Sequence, residues 1–213
     1  MALKLYLHPL SSYCHKVLIA LYENDIAFEP QIVDGATFAA FKQLWPLGKF
    51  PLLQDEDRNQ LIPESSIIIE YLVTHYPGPV QLIPADPDLA CEVRVRDRFF
   101  DNYLHTPMQK FANDRLRPAE KRDPFGLEEA KTAYRAALDI LESDIGTKTW
   151  ILGDEFTMAD CAAGPPLFYG DRCYGPFRAS HPKSLAYLDR LMARPSYARA
   201  LREAQPYFHL LPK

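Results

Sequence analysis

Pro77, Pro79, Pro84 and Pro87 fall within twelve residues, "PGPVQLIPADPD". A segment missing so many backbone donors can extend neither a helix nor a sheet ladder. It divides the 213 residues into an N-terminal part with strand signals and a C-terminal part with none that convinces. The expected division is a mixed α/β domain over residues 1–77, a linker over 78–88 and an all-helical domain over 89–213. Each piece is large enough to bury a core.

Before the linker, residues 3–7, "LKLYL", alternate apolar and polar faces as a half-buried strand does, and Pro9 stops the strand. Cys14, Val17, Leu18 and Leu21 then recur at helical spacing behind a serine placed to cap the helix. Residues 28–33 read as a second strand, and a strand-helix-strand crossover predicts parallel pairing. A connection leads to a strand at Leu52-Leu53, a polar turn over residues 55–59, a short strand near Leu61-Ile62 and a helix over residues 65–76. The stretch "SSYC", residues 11–14, has the spacing of a redox Cys-x-x-Cys site with oxygen in place of the first sulfur.

Beyond the linker, four segments carry helical periodicity, and Thr157 three residues before Asp160 reads as a helix cap. A formal charge of −4 leaves no electrostatic footprint for nucleic acid. No apolar run nears the roughly 18 residues of a membrane span, and "MALKLYLHPLSS" has neither secretory nor transit character. Cys14, Cys91, Cys161 and Cys173 lack the paired spacing of a zinc site or a disulfide framework, so the expected setting is a reducing cytoplasm and no metal is expected.

The order β-α-β then β-β-α, followed by an all-α domain, resembles the cytosolic glutathione S-transferases over nearly the whole chain. "SSYCHKVLIAL" is similar to the opening of the serine-type classes, zeta in particular with tau and theta beside it. "KFPLL" resembles the family's step with a cis proline, "ESSIIIEYL" its Glu/Gln-Ser helix start, and "GDEFTMADCAAG" its capped core helix. The resemblance implies a thioredoxin-like α/β N-terminal domain with an all-α C-terminal domain, glutathione as co-substrate, a small electrophile as second substrate, and a homodimer.

On that fold Ser11 stands at a helix N-terminus, where free amides and the helix dipole favour an anion. Serine cannot act as a redox nucleophile, but its hydroxyl can donate to a thiolate that arrives with glutathione. Ser11 is thus the catalytic candidate, and the competing reading is a plain N-cap. Ser12 is assigned to glutathione binding beside it. Cys14 is expected to be a core thiol, with a mixed disulfide with glutathione as the other reading. Tyr6 is expected to be structural, His15 to lie on the helix surface, and His8 is open. Glu64 and Ser65 suit the γ-glutamyl ammonium and carboxylate. The resemblance implies that Phe50, before Pro51, pairs its backbone with the cysteinyl unit, that Lys49 meets the glycyl carboxylate, and that Asp101 approaches the γ-glutamyl ammonium across a dimer. Tyr103, His105, Phe111, Tyr169 and Tyr174 are candidates for the second-substrate pocket. The other functions kept open are a glutathione-binding stress or interaction module, a thiol transferase working through Cys14, and a zeta-like cis-trans isomerase.

Overall fold

The computed structural model of the chain describes residues 3–177 and 179–211. Strand β1 (Leu3–Leu7) buries Leu3, Leu5 and Leu7 and leaves Lys4 and Tyr6 half-buried. Helix α1 (Ser12–Glu23) carries the chain over to β2 (Glu29–Ile32), which pairs parallel to β1 with Pro30 opposite Leu5. Strands β3 (Leu52–Asp55) and β4 (Gln60–Pro63) add antiparallel ladders, with Leu53 opposite both Leu5 and Ile62, giving the order β2-β1-β3-β4. Helix α3 (Ser65–His75) follows.

Strand neighbours point to opposite faces, so the sheet is covered on both. Leu5 and Leu53 join the aliphatic residues of α1 and α3 in one core. On the other face, Leu52 and Tyr6 meet helix α2 (Phe38–Leu44), with the Tyr6 and Phe41 rings 5.6 Å apart. The sequence reading left this segment as a connection. Helix α2 is seven residues long and buries only Phe41, which is too little for a periodicity to register.

Helix α1 is the hinge of the architecture. Ser11 caps it, its Oγ accepting the Cys14 N–H at 3.3 Å, and residues from Cys14 to Leu21 are all buried. It packs on α3 within the first domain and on α7 and α9 of the second. Burying Val17, Leu18, Ile19 and Leu21 contributes roughly 6–12 kcal/mol of transfer free energy, an upper figure. At its far end Glu23 holds Arg194 through two bonds of 2.6 Å. The helix therefore has almost no solvent face, and His15, expected on the surface, is fully buried.

The proline segment is pinned rather than free. The Val80 N–H donates to Asn24 Oδ1 at 2.8 Å, the Met158 N–H donates to the Leu82 carbonyl at 2.8 Å, and Leu82 is buried. Helix α4 (Pro87–Phe99) starts inside the stretch expected to be linker, because Asp86 caps it and Pro87 fits the first turn, where no amide donor is needed.

A widened π turn (Phe100–His105) joins α4 to α5 (Thr106–Arg115). Then come α6 (Pro124–Ile145), α7 (Met158–Cys173), α8 (Pro182–Ala193) and α9 (Pro195–Ala204), with short 3-10 turns at Ala119–Lys121 and Gln205–Leu210. At the start of α7 the Asp160 carboxylate accepts the Thr157 N–H at 2.9 Å, the Ile151 N–H at 3.0 Å and the Tyr187 hydroxyl at 2.5 Å. Burial still pushes its pKa upward, against those bonds. Among the described residues no helix is long and apolar enough to cross a membrane.

Candidate functional site

A cleft of about 540 Å³ opens between the two domains. Its first wall comes from the segment before β3 and from the turn into α3: Lys49, Phe50, Pro51, Glu64 and Ser65. Its second comes from α4, the π turn and α5: Arg98, Asp101, Asn102 and Gln109. Tyr13 of α1 and Ser66 of α3 lie where the walls meet.

On the first wall, unengaged polar groups gather. The Phe50-Pro51 peptide is cis, and the backbone of Phe50 makes no hydrogen bond among the described residues. Lys49 is exposed and forms no ion pair there. The first helical bond of α3 runs from the Ile68 N–H to the Glu64 carbonyl, so the amides of Ser65, Ser66 and Ile67 point out of the helix end. Glu64 itself sits at φ +68°, ψ 120°, a region costing a non-glycine residue about 1–3 kcal/mol and found most often at functional sites.

Beneath the second wall lies a buried charge cluster. Lys16 of α1 is 1% exposed, and its Nζ stands 2.6 Å from Asp97 Oδ1, 2.8 Å from Asp101 Oδ2 and 2.8 Å from Ser66 Oγ. Ser66 in turn donates to Asp97 Oδ2 at 2.7 Å, and Arg98 closes on both carboxylates at 2.6 Å. Two cations thus face two carboxylates across three elements. Burial drives the Asp101 pKa upward while Lys16 opposes it, and Asp101 Oδ1 has no hydrogen-bond partner. The widened turn supplies this geometry by swinging Asp101 and His105 inward together.

Of the residues expected from sequence, Lys49, Phe50, Pro51, Glu64, Ser65 and Asp101 share this cleft. Asp101 does so within its own chain, tied to Lys16, rather than by reaching across a dimer. Ser11 heads the helix but is not in the cleft lining. Ser12 turns away from it, 7% exposed, sharing a 2.5 Å hydrogen bond with His105. Cys14 is fully buried, and burial pushes its pKa up to about 12, which keeps it a thiol. Tyr6 donates to Gln54 at 3.0 Å on the α2 side of the sheet. His8 is half-buried, its Nδ1 accepting the Leu10 N–H at 3.2 Å. His15 donates through Nε2 to the Pro9 carbonyl at 2.6 Å, and burial lowers its pKa to about 4.

The five aromatic candidates for the second pocket do not converge. Tyr103 is 62% exposed against Phe99, and His105 is buried on Ser12. Phe111 and Tyr174 pack around Tyr134 in the helical core, and Tyr169 is buried beside His15. Their helical spacing marks the seams between α5, α6 and α7, not the cleft wall. The sequence reading missed Tyr13, Lys16, Ser66, Arg98, Asn102 and Gln109. The signal available for Lys16 was its place inside the apolar run of α1, with Asp97 and Asp101 one helical turn apart elsewhere. No group of metal-ligating side chains occurs among the described residues.

Family models for the glutathione S-transferase N-terminal and C-terminal domains match residues 5–80 and 124–190. A glutathione S-transferase-like protein LUC7 of Fusarium sp is 31% identical over 72% of this chain and 71% of its own length. A stringent starvation protein A homolog of Histophilus somni is 25% identical over 95% of this chain and 91% of its own. Among solved structures, a glutathione S-transferase of Methylobacterium radiotolerans in complex with glutathione sulfonate superposes with a TM-score of 0.81. It is 30% identical, over 93% of each chain.

Proposed function

The chain belongs to the glutathione S-transferase family, and from that premise we propose that it binds glutathione in the interdomain cleft, ionises its thiol with the help of Ser11 and adds it to a small electrophile. The observation that carries this reading is the first wall of the cleft. The free amides of α3, the Ser65 hydroxyl, the Glu64 carboxylate, the uncommitted Phe50 backbone and the Lys49 ammonium lie on one surface. These are the groups that an ammonium, two carboxylates and a peptide backbone would each use.

Ser11 heads the same helical turn as Tyr13. Its Oγ accepts an amide, so its hydroxyl hydrogen is free to be donated. Lowering a thiol from about 8.5 by about two pKa units requires roughly 2.7 kcal/mol of differential stabilisation. One charge-assisted hydrogen bond of about 1.5–3 kcal/mol and the helix terminus supply it. The protein works in the cytoplasm as a homodimer, with the exposed Ile67 and Tyr103 beside the cleft in the contact.

A second reading is a glutathione-binding interaction module without turnover. It is favoured by one observation, the position of Ser11 outside the cleft lining. Titrating the ultraviolet absorbance of bound glutathione thiolate separates the two. Ser11→Ala should keep most glutathione binding, lose the thiolate signal at neutral pH and lose about 10²-fold in conjugation, as 2.7 kcal/mol implies. A thiolate that survives Ser11→Ala but disappears in Cys14→Ala would move the chemistry to Cys14.

A further inference from the structure

Tyr13 lines the cleft at the junction of its walls, yet nothing in the activation of glutathione employs it. Its ring is fixed. It stacks on the His105 imidazole with centroids 3.7 Å apart and planes 22° apart, and His105 is itself held by Ser12. Burial lowers the His105 pKa to about 3, so the stacking partner is a neutral ring. The Tyr13 hydroxyl, by contrast, makes no hydrogen bond among the described residues, although Asp101 and Arg98 both act on it electrostatically. A half-buried tyrosine usually finds a partner for its hydroxyl, so a rigidly held ring with a spare donor is poised for a group that arrives with a ligand.

We infer that Tyr13 is a further catalytic residue, whose hydroxyl donates a hydrogen bond to the second substrate, and that this substrate is an electrophile whose reacting carbon is conjugated to a carbonyl. The inference rests on the reading of Ser11 as the thiolate donor and adds the substrate class. When the thiolate attacks an α,β-unsaturated ketone, a sulfur–carbon bond forms at the β-carbon. The π pair of the carbon–carbon double bond moves toward the carbonyl, whose oxygen becomes an enolate oxyanion. Tyr13 holds that oxyanion without giving up its proton, because burial, reinforced by Asp101, pushes the phenol up to about 12. The enolate then takes a proton from water at the α-carbon, and the hydroxide left behind is neutralised by the proton that glutathione released on ionising. A fixed neutral donor aimed at developing negative charge accelerates such a step. It does little for displacement of a halide from an alkyl carbon, where the leaving anion departs into water.

Tyr13→Phe keeps the ring stacked on His105 and removes only the donor. The test compares wild type and variant with glutathione and two electrophiles, an α,β-unsaturated ketone and a benzyl halide, together with the thiolate absorbance. The expected result is a loss of about 10²-fold in kcat/KM for the ketone, a change of less than about threefold for the halide, and an unchanged thiolate. Equal loss with both electrophiles, loss with neither, or loss of the thiolate signal overturns the role of Tyr13 alone. A wild-type chain that binds glutathione but conjugates neither electrophile overturns the transferase reading, and the role of Tyr13 with it.

Discussion

Replacing Lys16 by Met tests what holds the two domains together at the cleft. The side chain is nearly isosteric and apolar, and the site is 1% exposed, so packing is largely kept while the ammonium is lost. What remains is Asp97, 1% exposed, and Asp101, 5% exposed, with Arg98 as their one cation among the described residues, its side chain 50% exposed. Removing one partner of a buried pair costs about 3–5 kcal/mol, a large share of the 5–15 kcal/mol typical of a fold. With a urea m-value near 3 kcal/mol/M, the unfolding midpoint should fall by about 1–2 M, followed by Trp45 and Trp150, one in each domain. The pH dependence carries the electrostatic signature. Burial already holds the Asp101 pKa up against Lys16, so losing Lys16 raises it further. A carboxyl whose folded pKa exceeds its unfolded value, about 3.9, loses stability as pH rises from the unfolded toward the folded pKa. The deficit of the variant should therefore be smaller at pH 5 than at pH 7, and Asp101→Asn added to Lys16→Met should recover part of it. A midpoint shift below about 0.3 M, or a deficit independent of pH, would refute the argument.

The buried histidines give the whole protein an acid limit. The His15 pKa falls to about 4 in the fold, so the unfolded chain takes up the proton first. Stability is lost as pH drops from about 6.5 through 4, by up to roughly 3 kcal/mol. Thermal unfolding between pH 7 and pH 4 in wild type and His15→Phe should lose that slope in the variant, and an unchanged slope would exclude His15 as its source. Glu64→Gly should relieve the backbone cost at φ +68° while removing the carboxylate from the cleft. The expected outcome is a melting temperature equal to or above wild type together with weaker glutathione binding by calorimetry, and a fall in both would mean the conformation is not strained.

Local chemistry made much of the fold legible. The alternation of Leu3, Leu5 and Leu7, the spacing of Val17, Leu18 and Leu21, and the Thr157–Asp160 cap each act over a few residues, and each emerges in the element it implies. The first wall of the cleft was readable for the same reason, since Glu64 and Ser65 announce a helix start. The second wall was not. Lys16 meets Asp101 across 85 positions of sequence, and no local pattern says that a lysine inside an apolar run is paired rather than reaching for water. The π turn has no compositional mark, and it decides that Asp101 and His105 point inward while Tyr103 points out. His15 was misplaced because helical periodicity assumes one wet face, which α1 lacks.

That absence of a wet face has a consequence for synthesis. The ribosome releases β1 through α3 early, but the far side of α1 is covered only by α7 and α9, whose last residue is Ala204. At about 5–20 residues per second the interval is on the order of ten seconds. Throughout it the nascent first domain presents Leu18, Ile19 and their neighbours to the cytosol as an adhesive slab. The chain's final helix thus acts as a closing bolt, and its arrival, rather than the folding of the first domain, ends the period in which a chaperone has something to hold.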